Sequence, residues 1–221
     1  IEQLIQQLSI NRKQAEKLLN ETNGNIANAI EIHKKKMIGV FIAKTSVTVD
    51  KANDYLSREN YDLPKDVKRY EAENFTQTEL IIRKEKNKEK ALDDIVFAIT
   101  ESQQLPMDYF WVSSEGLIKL NPVQYTIVRL MNWINWEAWE GELALYDDIL
   151  ELLLSLNIDW IAPRYKACLD RIDELKNTDK IWEDPLYKKL SDSLYDKFLS
   201  CRDELIGILY NYAVKHIKEL P

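Results

Sequence analysis

Few residues in this 221-residue chain carry side chains suited to catalysis or metal binding, and their spacing limits what they can do. Cys168 and Cys201 are the only cysteines, and His33 and His216 the only histidines. A His-rich zinc site and the HExxH metalloprotease pattern are therefore absent. Cys201 and His216 could in principle pair as nucleophile and base, but they are 15 residues apart on what reads as one helix. At 1.5 Å of rise per residue that is on the order of 22 Å, which one helix cannot close. The acidic groups Asp147-Asp148 with Glu151, and Asp170 with Asp173-Glu174, have the spacing to share a helix face and hold a divalent ion. No histidine or loop motif accompanies them, so they read as solvated faces. No catalytic residue, metal site or cofactor is expected.

Aromatic residues offer binding chemistry instead. Trp133, Trp136 and Trp139 recur every third residue and form one broad flank of a helix. Such a flank is either core or an exposed aromatic groove for a peptide or partner helix, since aromatics are enriched at interface centres. Trp133 and Trp136 are accordingly candidate partner-binding residues.

The composition sets the frame for these residues. At 45% hydrophobic and 30% charged, with a net charge of −7, the chain has the apolar content for a packed core. It lacks an apolar run long enough for a bilayer span and a signal-like start, so a soluble protein is expected, with no membrane partner. Two cysteines make no disulfide framework, which points to free thiols and a cytoplasmic location. Ile1 in place of an initiator Met suggests a piece of a longer chain. Five Gly and six Pro are too few for a turn-dense β fold or a phosphate-binding loop, so the predicted class is all-α. Residues up to Tyr70 have a net charge of +3 and the remainder −10, and all six Trp lie in the remainder. Two structural parts are expected.

An internal repeat organises the first part. Residues 1–32 lie over 38–69 without a gap, pairing Leu4 with Phe41, Ser9 with Ser46, Ala15 with Ala52, Leu19 with Leu56, Asn23 with Asn60 and Asn25 with Asp62. Each copy predicts three short helices. Asn11 and Thr48 are suited to cap the second helix, and Asn25 and Asp62 the third. Gly24 suits a left-handed turn, and Pro64 falls in a first helical turn, where its missing N–H costs nothing.

The run Ala15 to Ile30, with its Leu18-Leu19 pair, Asn23-Gly24-Asn25 turn and Ala29-Ile30 step, resembles the ubiquitin-associated (UBA-like) three-helix domain. The second copy resembles the variant in which an aromatic, here Tyr61, precedes the Asp of that turn. The resemblance implies two modules, 1–36 and 37–71, that bind proteins without catalysis. The family's binding loop falls on Leu8, Ser9 and Ile10 in the first copy and on Thr45, Ser46 and Val47 in the second. Its Leu-Leu pair at the end of helix three is replaced by His33-Lys34 and Tyr70-Glu71, which removes apolar contact from a ubiquitin-type surface. Leu8 and Ile10 read equally well as core.

Residues 72–221 read as an acidic, Trp-rich helical domain, an antiparallel bundle with short connections. Helices are predicted over about 76–104, 123–139, 142–156, 165–176 and 185–219. A short β-hairpin is predicted from 109–112 and 117–120 around the turn 113–116. The last helix places Leu186, Leu190, Leu194, Phe198, Cys201, Leu205, Leu209 and Tyr212 along one face.

The function these features predict is a non-enzymatic adaptor that binds partner proteins, a ubiquitin-like protein among them. Leu8, Ser9, Ile10, His33, Lys34, Thr45, Ser46 and Val47 are the candidate contacts in the repeats. The alternative is a nucleic-acid-binding regulator, because a three-helix unit can imitate a helix-turn-helix and Lys34-Lys35-Lys36 is basic. The −10 charge of the remainder argues against it.

Overall fold

The computed structural model of the chain describes residues 1–108, 111–140, 145–175 and 181–221, and at 111 and 136–140 the backbone alone. The architecture is all-α, with twelve α-helices and one pair of two-residue strands among the described residues. None of these helices is long and apolar enough to cross a membrane. The chain divides into two units, Ile1–Phe75 and Thr76–Pro221.

In the first unit, helices α1 (Glu2–Gln7), α2 (Arg12–Glu21), α3 (Ile26–Thr45), α4 (Val49–Arg58) and α5 (Leu63–Asn74) follow in order. The expected caps form. Asn11 accepts from Gln14 N–H while the Gln14 side chain accepts from Asn11 N–H, and Asn25, Thr48 and Asp62 each accept from the amide three residues on. The repeat extends to backbone geometry: Gly24 N–H donates to Leu19 carbonyl and Tyr61 N–H to Leu56 carbonyl, both at 2.7 Å. Asn23 and Gly24 have positive φ, and so do Asn60 and Tyr61. Tyr61 thus adopts a left-handed conformation that costs a glycine little and an aromatic residue more.

The expected boundary at 36/37 falls inside α3, which is one 20-residue helix in place of two short ones. The reason is local. Residues 31–38 contain neither a proline nor a suitable cap, so nothing stops the helix between the copies. Leu4, Leu8, Ala15 and Ala29 from the first copy share one core with Phe41, Ala52 and Leu56 from the second. Phe41, Tyr55 and Tyr70 pack ring against ring at 5.3–5.8 Å.

The second unit opens with α6 (Gln77–Lys84) and α7 (Lys88–Gln103), where a single helix over 76–104 is expected. Glu85 is extended and the Asn87 side chain caps α7 by accepting from Lys90 N–H. The charged residues between supply no apolar contact to hold a straight helix, while the break lets Ile81 and Ile82 pack against the core.

Strands β1 (Met107–Asp108) and β2 (Trp111–Val112) pair antiparallel, Met107 opposite Val112. The hairpin therefore lies earlier than expected. Residues 113–116 are no hairpin turn, because the Ser113 hydroxyl accepts from Gly116 N–H and starts the short helix α8 (Ser114–Leu117). Gly116 is required there: a Cβ would lie 2.5 Å from Val112 Cγ1 and 3.1 Å from Pro106 O. Residues 109 and 110 of the expected hairpin lie outside the described residues.

Helices α9 (Pro122–Glu140), α10 (Asp147–Ser155), α11 (Ala162–Leu175) and α12 (Pro185–Lys215) complete the unit. Gln103–Gln124 and Asp93–Asn135 hydrogen bonds run α9 antiparallel to α7. On α12, Leu194, Phe198, Leu205 and Leu209 are buried as the periodicity predicts. Leu186 is 49% exposed, a departure, because Tyr187 takes the core position and packs edge-on against Trp182. Arg202 ties α12 to α7 through Glu89 at 2.9 and 2.6 Å. The chain end closes the unit, with Pro221 carbonyl accepting from Thr78 N–H at 2.8 Å.

Candidate partner-binding cleft

Tyr125, Arg129 and Trp133 recur every fourth residue on α9, with Asn132 beside them, so one stripe of this helix carries both a cation and aromatic rings. That stripe lines a cleft of about 560 Å³ in the second unit, within the size range of small-ligand and peptide-side-chain sites. Val112 of β2, the cap residue Ser113 and Leu117 of α8 line it as well. Tyr146 and Asp148, at the start of α10, close one end, and Ile118 at the rim is 84% exposed.

The polar groups hold one another in place. Arg129 donates from Nε and Nη2 to the two Asp148 oxygens at 2.5 and 3.0 Å, the bidentate geometry that fixes a guanidinium. Tyr125 hydroxyl donates to the same carboxylate at 2.7 Å. The Tyr146 ring lies 4.5 Å from the guanidinium carbon, a cation–π contact. Tyr146 is anchored in turn by buried Tyr165, whose hydroxyl accepts from Tyr146 N–H and donates to Tyr146 carbonyl. Tyr165 packs edge-on against Trp133 at 5.8 Å.

Partial burial of Asp148 disfavours its charged form and by itself would push its carboxyl up. Hydrogen bonds from Arg129 and Tyr125 outweigh it and hold the carboxyl below the usual carboxylate range. Burial likewise opposes the charge on Arg129, and Asp148 more than offsets it. Both groups are locked in their charged forms near neutral pH and suit recognition better than proton transfer.

Of the residues nominated from sequence, Trp133 lines the cleft and those of the repeats lie in the first unit. Leu8 is 1% exposed and Ile10 buried, and both belong to the first unit's core. Ser9 is exposed, yet its hydroxyl donates to Glu59 carbonyl. His33 is buried with Nε2 lacking a hydrogen-bond partner, and Lys34 reaches over the Tyr61 ring at 5.0 Å. Thr45 is buried and donates to Phe41 carbonyl of its own helix. Ser46 is exposed in a left-handed conformation and Val47 packs on the same core. The fused α3 and shared core explain why Leu8, Ile10, Thr45 and Val47 face inward.

Trp133 is 1% exposed, packed between Tyr165 and Phe198; the core reading holds for it. The side chains of Trp136 and Trp139 lie outside the described residues. Of the acidic groups, Asp148 is held by Arg129, Asp170 by Lys166 and Glu174 by Arg171. The Arg129–Asp148 clamp was missed, although a signal exists: Arg129 is the sole Lys or Arg between Lys119 and Arg164.

With the cleft defined, comparison with known proteins supplies its context. A family model described as the YfbN C-terminal domain matches residues 76–218, close to the limits of the second unit and enclosing the whole cleft. The Escherichia coli (strain K12) protein described as "Uncharacterized protein YfbN" is 32% identical over 184 residues, covering 80% of this chain and 77% of that one. That coverage exceeds the second unit, so the likeness reaches into the first. No solved structure matches. With the family model covering most of its length and a relative aligned across both units, the chain belongs to the YfbN C-terminal domain family.

Proposed function

We propose that the chain is a non-enzymatic interaction protein whose C-terminal domain receives a polypeptide partner in the Arg129–Asp148 cleft. The observation that carries this reading is an open cleft whose polar groups are preoriented by one another and whose rim holds Ile118 84% exposed. Preorganised polar groups beside an uncovered aliphatic side chain are the ingredients of an interface centre and its surround. No histidine lines the cleft to activate Ser113 or Ser114, which favours binding over catalysis.

The first unit keeps the capped helices and turns that motivate its UBA-like resemblance, and we assign it a protein-binding part too. Its own core uses Leu8, Ile10 and Thr45, so Ser9, Lys34 and Ser46 are the residues left for a ubiquitin-like partner. A nucleic-acid role has less support, since Lys35 pairs with Glu31 at 2.8 Å and Lys34 covers Tyr61. The two free cysteines fit a reducing, cytoplasmic setting.

A photo-cross-linking residue at position 118 of the full chain, expressed in its own cells, tests the cleft. Capture of a defined protein, weakened when Gly116, which shapes the cleft wall, is replaced by Ala, is the expected result. Capture that is absent, or unchanged by Gly116→Ala, would overturn it.

A further inference from the structure

The net charge of the second unit is concentrated in the stretch of sequence that contributes this cleft. Residues 76–221 carry 18 Lys and Arg against 26 Asp and Glu. Residues 101–160, which contain every residue lining the cleft, hold ten of those acids and only two bases, Lys119 and Arg129. The rest of the unit is balanced, so its whole net charge of −8 arises from this one stretch.

Within the cleft the balance is the same in miniature. Arg129 is neutralised by Asp148 at 2.5 and 3.0 Å, and Asp108, which also lines the cleft, is exposed and has no cationic partner among the described residues. The Tyr146 ring offers one face to Arg129 and is 47% exposed. Val112, Leu117 and Ile118 supply apolar wall beside these groups.

Resting on the reading of the cleft as a polypeptide site, we propose that its occupant is a basic segment of a partner protein, in which a Lys or Arg lies beside an aliphatic or aromatic side chain. The cation faces Asp108 and the open side of Tyr146, where carboxylate and ring both favour positive charge. The apolar side chain packs on Leu117 and Ile118, removing exposed aliphatic surface from water. An acidic peptide or a nucleic acid would meet the unpaired carboxylate of Asp108 and be repelled.

The test uses the full chain and three fluorescein-labelled peptides of equal length: alternating Lys and Leu, alternating Lys and Ser, and alternating Glu and Leu. A labelled single-stranded oligonucleotide is the fourth probe. The Lys/Leu peptide should bind best, with Ile118→Ser weakening it about tenfold and Asp108→Asn about threefold. Asp159→Asn, an exposed acid of the same stretch outside the cleft, should leave binding unchanged.

Equal losses from Asp159→Asn and Asp108→Asn would reduce the effect to bulk charge and overturn the proposal. Preference for the Glu/Leu peptide or the oligonucleotide would do the same. Cross-linking at position 118 separates the two levels. A captured protein whose mapped contact segment is acidic or uncharged sinks this inference and leaves the interaction reading standing; no capture and no peptide binding sinks both.

Discussion

Ser9 donates its backbone N–H to the carbonyl of Asn60 at 2.8 Å. The loop of the first repeat is thereby fastened to the turn of the second, while Lys34 reaches from the first copy over the Tyr61 ring of the second. The repeats complete each other's core, so the full chain should lose the helices of its first unit in one cooperative transition. A fragment of residues 1–36 lacks Phe41, Ala52 and Leu56 and should be largely unfolded by circular dichroism. A folded 1–36 fragment would show that each copy is self-sufficient.

Removing one member of the Arg129–Asp148 pair leaves the other charge partly buried. Asp148→Ala should destabilise the second unit by about 1–3 kcal/mol, less than a fully buried pair because Asp148 keeps some exposure. The double variant Arg129→Met/Asp148→Ala should recover part of the loss. Urea denaturation followed by Trp fluorescence reads both. A loss in the double variant equal to the sum of the singles would mean that the two residues do not interact.

Asp66 stands where the first repeat has Ala29, with no exposed side-chain surface. Burial pushes its carboxyl up to about 6, against the opposing pull of Arg69 at 2.7 Å, with Glu59 and Asp62 adding to the rise. Because the folded value lies above the unfolded one, this group's contribution is full below about pH 4 and is lost as pH rises through 6. In Asp66→Asn that loss should disappear, flattening the dependence of the first unit's stability between pH 4 and 7. A carbon-detected titration of Asp66 with a midpoint near 4 would refute it.

Gly116 has no room for a side chain. Gly116→Ala should cost about 1–3 kcal/mol through the clash with Val112 and the Pro106 carbonyl. It should also reshape the cleft wall, so its peptide affinity should fall in the same variant. Wild-type denaturation and binding curves would show that the wall yields freely.

The two thiols should differ in reactivity. Cys168 is buried and pushed up to about 11 by desolvation, whereas hydrogen bonds from Lys197 and Ser200 hold Cys201 below its usual value. An aromatic disulfide reagent should modify Cys201 in the folded chain and Cys168 only on unfolding.

Local grammar was legible in the sequence wherever it is written in short-range chemistry. Asn11, Asn25, Thr48 and Asp62 cap because an Asx or Thr oxygen reaches an amide three residues away whatever the tertiary context. The repeat, the all-α class and the buried stripe of α12 are of this kind. Continuity was harder to read: the fusion of α3 was legible only as the absence of a stop signal in residues 31–38, which the repeat's punctuation obscured, while the break at Glu85–Asn87 depends on what the helix packs against. The site residues failed for the same reason. Leu8 and Thr45 face a core that exists only once both copies assemble, and Arg129 meets Asp148 from a different helix, at a sequence spacing that carries no motif.

The unbroken α3 also sets a phase relation. It is a rod of about 30 Å whose azimuth advances by about 100° with each residue, and the two copies it joins meet where Ser9 N–H donates to Asn60 carbonyl. One residue inserted between His33 and Met37 would swing the second copy a quarter turn and more about that axis, pulling Asn60 away from Ser9. The spacing between the copies is thus fixed by angle as well as by length, like the pitch between two keyed gears on one shaft.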